Sequence, residues 1–395
     1  FGARSLIAYD EGIYALHAKW IIINNNWIIP FKWGSIVDDR TIGLQFLIAL
    51  SQKIFGENIF AIYIPSILFG SLMVYLTYEI HKELIGRFFP VVSSIILCTT
   101  YLWINYFHMA TQDIIFASLS TLGIYASIKS YKYKSNFYLF LSGIWIGLAF
   151  MLKTYLVCIP LIAILPFLIS TKIFKNIPFW IGLLVGSIPL ILWSYQIIAI
   201  YGWETFYGLY EKLISLSKEN EFSNPFYYYL FNFTLNTLPW SVFSIIGFIK
   251  HKSFGNKLTS YFLFKYPLSV IILLSIFSTK TPYYPIQILS LTSINAFLGI
   301  NYILKNNNFF IKIFKKIAFI FLPLLLVISL LYLNFNHNFV DLDNRKLFLI
   351  NISLFTFCSC WLTIPLLKSF KNKFIFIILG PYLMTSLLVQ SGFFN

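Results

Sequence analysis

Long apolar stretches alternate with short polar ones along most of this chain. A helix that crosses a bilayer needs about 20 mostly apolar residues, and stretches of that length recur from residue 57 onward. The stretch 136–170 is too long for one crossing, and Lys153 with Thr154 marks a predicted break within it. We therefore predict an all-α polytopic membrane protein with about twelve spans. They cover 57–80, 88–107, 112–130, 136–152, 154–170, 177–200, 236–250, 260–278, 283–303, 317–335, 345–367 and 373–393.

The charges in the loops test this map, because lysine and arginine concentrate on the cytoplasmic side of membrane proteins. One set of alternate loops collects most basic residues, opposed only by Glu79 and Glu83 of the fourteen acids. The opposite side holds the other twelve acids, so the basic set is predicted to be cytoplasmic and 1–56 to face outward. The basic set is Lys82, Arg87, Lys129, Lys132, Lys134, Lys172, Lys175, Lys250, Lys252, Lys257, Lys265, Lys305, Lys312, Lys315, Lys316, Lys368, Lys371 and Lys373.

Composition agrees with a chain that lies mostly in lipid. Of its 395 residues, 58% are hydrophobic and 11% charged, against about a quarter charged in a soluble domain. The net charge of +15 falls in short clusters with no continuous basic face, which argues against a nucleic-acid partner. The four cysteines lie inside apolar stretches, where cysteine packs as a small hydrophobe.

The polar stretch before the first span predicts structure of its own. Residues 11–23 form a predicted amphipathic helix that Asp10 can cap, and residues 42–55 form a second that ends at Gly56. Both are expected to lie on the outer membrane surface. The chain starts at Phe1 and reaches this loop at once, so we expect a further helix before it. The predicted organisation is an outer loop at 1–56, a transmembrane core at 57–305 that includes the outer loop 201–235, and C-terminal spans at 306–395.

Charged residues in the first outer loop are the first candidates for chemistry. Asp10 and Glu11 begin the first surface helix, where the bilayer's low dielectric can raise a carboxyl pKa toward that of a general base. Asp10 could equally serve only as a helix cap. Asp39 and Arg40 precede the second helix, where Arg40 could hold a phosphate bidentately. The alternative is a solvated run of charges in a loop.

Further candidates lie at the predicted outer ends of spans. Asp113 begins a span, where an acid either favours the helix N-terminus or marks a functional site. Lys153 and Lys280 also fall on the outer side, and both could simply snorkel to the interface. Tyr283 and Tyr284 follow Lys280 in the sequence. Each signal is weak alone, whereas their common placement on the outer side is informative.

Several short motifs occur along the chain in the same order as in one family of membrane proteins. Asp10-Glu11-Gly12-Ile13-Tyr14-Ala15 resembles the Asp-Glu-Gly-x-Tyr-Ala signature of the GT-C membrane glycosyltransferases, the aminoarabinose transferase and protein O-mannosyltransferase relatives known as glycosyltransferase family 39-like. The similarity continues over about 1–305. It includes Trp27-Ile28-Ile29-Pro30 with Gly34, Thr111-Gln112-Asp113 in place of Arg-Thr-Asp, Gly147-Leu148-Ala149-Phe150-Met151-Leu152-Lys153, and Thr279-Lys280-Thr281-Pro282-Tyr283-Tyr284.

The resemblance implies a GT-C fold and transfer of a sugar from a polyprenyl-phosphate donor to a lipid, glycan or protein acceptor, with inversion, at the periplasmic face of a bacterial inner membrane. It implies Asp10 as the base, with Glu11 and Asp113 as further catalytic acids. Asp39-Arg40-Thr41 stands where the family has Glu-Lys-Pro, which keeps the charge signs. The implied substrate-binding residues are Asp39, Arg40, Lys153, Lys280, Tyr283 and Tyr284.

A cofactor is not required by this scheme, although a divalent cation could be held by Glu11, Asp39 or Asp113. No dedicated set of oxygen ligands is visible in the sequence.

Two other classes of protein compete with a transferase. A transporter or flippase for a lipid-linked substrate would favour ionisable residues and broken helices near the bilayer midplane, whereas the span centres here are nearly free of charge. A structural membrane subunit would have no need of acids gathered near one outer pocket.

Overall fold

The structure, a computed structural model, describes residues 6–7, 11–28, 31–32, 35–36, 40–204, 207–208, 210–211, 214, 223–250, 257–335 and 344–392. Within these residues the chain is almost entirely helical, with one two-stranded antiparallel hairpin, β1 (Phe31–Lys32) and β2 (Ser35–Ile36). The first helices are α1 (Glu11–Ile23), α2 (Gly43–Phe55), α3 (Ile59–Leu84), α4 (Pro90–Cys98), α5 (Tyr101–Phe107), α6 (Gln112–Tyr133), α7 (Asn136–Lys153), α8 (Cys158–Ser170) and α9 (Ile177–Tyr201). They are followed by α10 (Tyr228–Asn236), α11 (Trp240–Ile249), α12 (Lys257–Ile276), α13 (Leu289–Lys305), α14 (Phe309–Lys316), α15 (Leu322–Phe335), α16 (Asn344–Thr363) and α17 (Phe370–Gln390).

Eight helical runs among the described residues are long and apolar enough to cross a bilayer, or nine if the bent pair α4–α5 counts as one span. Every predicted segment contains a helix, and three features explain why at most nine spans are counted instead of twelve. The run 136–170 is counted once, and α11 is only ten residues long. Helix α6 lies between α3 and α7 and buries polar residues such as Ser118 and Thr121, which protein neighbours tolerate better than lipid does.

The run 136–170 crosses the molecule twice, as the sequence predicts. Helix α7 ends at Lys153, and Thr154 has a positive φ of 40°. Close contacts pair Gly143 with Phe179 and Gly147 with Gly186, so α7 and α9 run parallel. Because α8 joins them, it must return in the opposite direction. The ring of Phe167 in α8 indeed packs 5.8 Å from that of Tyr131, near the start of α7.

Small residues fix the contact between α7 and α9. Glycines recur four residues apart in both helices, at Gly143 and Gly147 in α7 and at Gly182 and Gly186 in α9. A Cβ on Gly186 would lie 2.1 Å from the carbonyl oxygen of Ile144, so the two backbones touch. In lipid, such close backbone packing is a main source of helix association.

The two helices of the first loop form almost where the pattern places them. Helix α1 spans 11–23, and α2 begins one residue later than predicted and ends at Gly56, whose φ is 87°. Helix α2 exposes apolar side chains that include Phe46 and Ile54, as expected of a helix at a membrane interface. Helix α1 is more enclosed than a surface helix, because α2 packs against it.

Candidate functional site

An ion pair joins the start of α6 to the end of α7. Asp113 lies in the first turn of α6 and Lys153 is the last residue of α7, so each charge complements the dipole of its own helix. The Lys153 ammonium donates to Oδ1 of Asp113, and the two side chains are only 10% and 11% exposed. Residues forty positions apart in sequence thus form one buried charged unit.

Two tyrosines surround this ion pair. The Lys153 ammonium lies 5.2 Å from the ring centroids of both Tyr283 and Tyr284, a cation–π arrangement. All four side chains, together with Gln287, line one small cavity. We call Asp113, Lys153, Tyr283 and Tyr284 the Asp113 cluster. The structure therefore brings together four of the residues predicted from sequence.

Arg40 packs on Tyr14, near the Asp113 cluster. Its guanidinium carbon lies 5.6 Å from the centroid of the Tyr14 ring, and the Tyr14 side chain lies near that of Tyr284. The Thr41 hydroxyl donates to the carbonyl of Leu152 across 3.4 Å. A Cβ on Gly43 would lie 2.3 Å from the Met151 carbonyl oxygen. The start of α2 is thus docked on the last turn of α7, beside the Asp113 cluster.

Glu11 links the first loop to the same region from another side. Its side chain is completely buried. Oε1 accepts a hydrogen bond of 2.9 Å from the amide of Ala110, and Oε2 accepts one of 3.0 Å from the amide of Ile7. The carboxylate therefore holds α1 against the turn that precedes Asp113.

Lys280 points away from the Asp113 cluster. Its ammonium donates to the carbonyl oxygens of Asn224, Phe277 and Ser278, and the side chain is buried. Burial lowers the pKa of this lysine below its ordinary value, because desolvation disfavours the charged form. The predicted contact of Lys280 with substrate stays a prediction, while the structure shows it fastening the 277–280 loop to Asn224.

Part of this site lies in a segment that matches a known protein family. Residues 39–195 match the sequence model of the dolichyl-phosphate-mannose-protein mannosyltransferase family. The match covers less than half of the chain. It includes Arg40, Asp113 and Lys153, whereas Glu11, Tyr283 and Tyr284 lie outside it.

Curated relatives extend the similarity beyond the matched segment. The chain is 27% identical over 249 residues to an undecaprenyl phosphate-alpha-4-amino-4-deoxy-L-arabinose arabinosyl transferase of Edwardsiella ictaluri, which covers 60% of this chain and 45% of that protein. The similarly described transferase 2 of Proteus mirabilis is 25% identical over 250 residues, again with 60% and 45% covered. The chain thus spans about half the length of the curated relatives it matches.

Solved structures show the same fold over the whole chain. The crystal structure of ArnT from Cupriavidus metallidurans bound to undecaprenyl phosphate superposes with a TM-score of 0.81 at 13% identity, covering 99% of this chain and 74% of that one. Its apo form gives a TM-score of 0.72 at the same identity, covering 98% and 73%. These findings confirm the predicted GT-C fold and a multi-pass membrane protein.

A larger apolar cavity adjoins the Asp113 cluster. It has a volume of about 480 Å³ and lies between α8 and α12. Tyr284 lines both this cavity and the small polar one around Lys153. The walls away from Tyr284 are mainly aliphatic, and they include Ile159, Ile162 and Leu274. Leu156 also lines both cavities, so the charged site and the apolar one meet at Tyr284 and Leu156.

The other end of the same helices carries a separate group of charges. Glu79 pairs with Lys82 at 2.7 Å, and Glu83 pairs with Lys132 at 3.1 Å. Lys129 lies in α6 sixteen residues beyond Asp113, which is about 24 Å along a helix. The two charged groups thus occupy opposite faces of the membrane domain, as the loop charges predict.

Three predictions about the site have no counterpart among the described residues: the positions of Asp10 and Asp39, and a set of metal ligands. Asp10 and Asp39 lie outside the described residues. For a metal, the part of the chain that the structure describes holds no group of three His, Cys, Asp or Glu side chains. Both oxygens of Glu11 accept amide hydrogen bonds, and Asp113 pairs with Lys153, so neither presents a ready-made cation ligand.

The prediction from sequence missed Tyr14 and Gln287 as site residues. Tyr14 had a signal, since it belongs to the Asp-Glu-Gly-x-Tyr-Ala motif, and its ring contacts Arg40. Gln287 had none, because a lone glutamine after two tyrosines has no distinguishing pattern; only the fold places it beside Lys153.

Proposed function

We propose that this protein transfers a sugar from a polyprenyl-phosphate donor to an acceptor hydroxyl. The observation that carries the proposal is the meeting of the charged Asp113 cluster with the 480 Å³ apolar cavity at Tyr284. A polyprenyl-phosphate sugar has the same two-part character, with an anionic polar head and a long apolar tail. The names of the curated relatives, undecaprenyl-phosphate-dependent arabinosyl transferases, support this class of donor.

The donor would lie with its prenyl tail between α8 and α12 and its phosphate near Lys153 and Arg40. Lys153 is only 10% exposed. A phosphate that reaches it would lose contacts with water and gain a contact with the ammonium, and water screens that attraction weakly. The phosphate would compete with Asp113 for the ammonium. Asp113 would hold the Lys153 ammonium in place until the donor arrives.

The proposed chemistry is one in-line displacement. Asp10, which directly precedes the buried Glu11 in sequence, takes the proton of the acceptor hydroxyl. The acceptor oxygen forms a bond to the anomeric carbon while the bond from that carbon to the phosphate oxygen breaks. Polyprenyl phosphate leaves, with its developing charge stabilised by Arg40 and Lys153. A single displacement inverts the configuration at the anomeric carbon.

The site is proposed to face the periplasm of a bacterial inner membrane. The basic loops at the opposite ends of the helices favour a cytoplasmic location for that face. A periplasmic site also suits a donor whose sugar phosphate lies in the outer leaflet. Acceptors of the lipid, glycan and protein classes all carry hydroxyl groups that this chemistry can use.

The test is a transfer assay with the protein in proteoliposomes and a panel of polyprenyl-phosphate sugars. It measures both sugar attached to acceptor and polyprenyl phosphate released. Asp10→Asn is expected to lower turnover by at least about 100-fold, the lower bound for losing an acid–base group. Asp113→Asn should also lower turnover, because Lys153 loses the carboxylate that orients it. Glu57→Gln is the matched control and should leave turnover unchanged. This exposed acid lies just before α3, at the end of the helices where the cluster lies, and it does not line the cavity around Lys153.

Two results would refute the proposal. One is wild-type protein that releases no polyprenyl phosphate with any donor. The other is movement of the labelled donor between leaflets without any sugar transfer, which is the behaviour of a flippase. A parallel reaction with a chelator tests the divalent cation, which stays a prediction: a requirement for metal would abolish transfer until the cation is restored.

A further inference from the structure

A second apolar groove lies on the outside of the helix bundle, far from the Asp113 cluster. It runs between α4 and α17, has a volume of about 310 Å³, and is bordered by Phe89, Val92, Ile378, Tyr382 and other apolar side chains. The rings of Phe89 and Phe374 stack 5.9 Å apart where the two helices begin. Lys371 is the one charged side chain among the groove residues, and it is exposed.

The length of the groove fits one leaflet of a bilayer. Its residues on α17 extend from Lys371 to Tyr382, eleven positions or about 16 Å along a helix. The hydrocarbon core is about 30 Å thick, so the groove reaches from one membrane surface to about the midplane. Lys371 lies at the surface end, on the same face as Lys82 and Lys132.

The surroundings of Lys371 favour the binding of an anion. Residues 344–395 contain no Asp or Glu, and neither do residues 222–340. The two acids of this face, Glu79 and Glu83, form ion pairs with Lys82, Lys129 and Lys132 instead. Near Lys371, the positive charges of Lys315 and Lys373 repel each other. The protein itself therefore supplies little negative charge beside the mouth of the groove.

We propose that this groove binds an anionic phospholipid of the cytoplasmic leaflet, with one acyl chain between α4 and α17 and the phosphate at Lys371. Both helices also begin at this end, so their positive dipole ends add to the attraction for a phosphate. The site is separate from the transferase proposal, because it lies on the opposite face of the membrane domain. Its failure would leave that proposal untouched.

The test is native mass spectrometry of the detergent-solubilised protein titrated with dimyristoyl phosphatidylglycerol, and in parallel with dimyristoyl phosphatidylcholine. We expect one phosphatidylglycerol to bind at least about fivefold more tightly than phosphatidylcholine, as expected for one lysine near an anionic headgroup. Lys371→Gln should remove that preference. Lys368→Gln is the matched control, since Lys368 is an exposed lysine of the same segment that does not border the groove, and it should retain the preference.

A second variant tests the groove without removing a charge. Ile375 borders it and is 45% exposed, so Ile375→Trp can fill the groove without disturbing the core, and it should abolish binding of both lipids. Soluble glycerol phosphate should not compete. The proposal is overturned if the two lipids bind equally, if Lys371→Gln binds like wild type, or if glycerol phosphate displaces the lipid.

Discussion

The buried ion pair between Asp113 and Lys153 makes a quantitative prediction about stability. Replacing Lys153 with Met keeps most of its volume and removes the charge. The Asp113 carboxylate, 11% exposed, is then left without that cation. Breaking a buried pair in this way costs about 3–5 kcal/mol, in line with about 4 kcal/mol for unit charges about 4 Å apart at an effective dielectric constant of about 20.

A double-mutant cycle isolates the ion pair from the other contacts of Lys153. Replacing Lys153 also removes its cation–π contacts with Tyr283 and Tyr284, which are worth about 0.5–2 kcal/mol. That loss occurs in Lys153→Met whether or not Asp113→Asn is also present. The double variant should therefore be more stable than the sum of the single costs predicts, by about 2 kcal/mol or more. Unfolding of the purified protein in mixed micelles, followed by tryptophan fluorescence, measures all four stabilities.

An ion pair on the opposite face provides the control. Lys82 is 28% exposed, and its partner Glu79 has a second cation, Lys129, at 3.9 Å. Lys82→Met should therefore destabilise the protein clearly less than Lys153→Met does. If Lys153→Met and Lys82→Met cost the same, or if the Asp113–Lys153 cycle is additive within about 0.5 kcal/mol, the pair does not behave as a buried unit and the reasoning is wrong.

Two further predictions concern packing and the 277–280 loop. Gly186→Leu should destabilise the protein by at least about 1–3 kcal/mol, because its Cβ would lie 2.1 Å from the Ile144 carbonyl oxygen. Ile188→Leu, at an exposed position of the same helix, should stay within about 0.5 kcal/mol in the same unfolding measurement. Lys280→Met should speed hydrogen exchange at the Asn224 amide at least about tenfold, since bonds from a charged donor contribute about 1.5–3 kcal/mol. Exchange at wild-type rate together with a large loss of donor affinity would instead assign Lys280 to phosphate binding.

The sequence alone determined the elements and their sidedness. Apolar length set the helices. Asn24, Asn25 and Asn26, which directly follow α1, and Gly56 set the ends of the first two. The break at Lys153 followed from a stretch too long for one bilayer. Clustering of lysines at alternate ends predicted two unlike faces, and the structure confirms charged groups about 24 Å apart along α6. These features are local, since each depends on the period and length of one segment.

Only the tertiary structure decided which of the candidate residues meet. Nothing in a linear pattern pairs Asp113 with Lys153, or turns Tyr283 and Tyr284 toward that lysine while Lys280, a few residues earlier, turns to Asn224. Those choices depend on the packing of α6 against α7 and on the direction in which the chain leaves α12. The glycines of α7 and α9 allow two backbones to touch, but only the packing of the whole bundle decides that these two helices are neighbours. Side-chain convergence is a property of helix packing, which the period of a single helix does not contain.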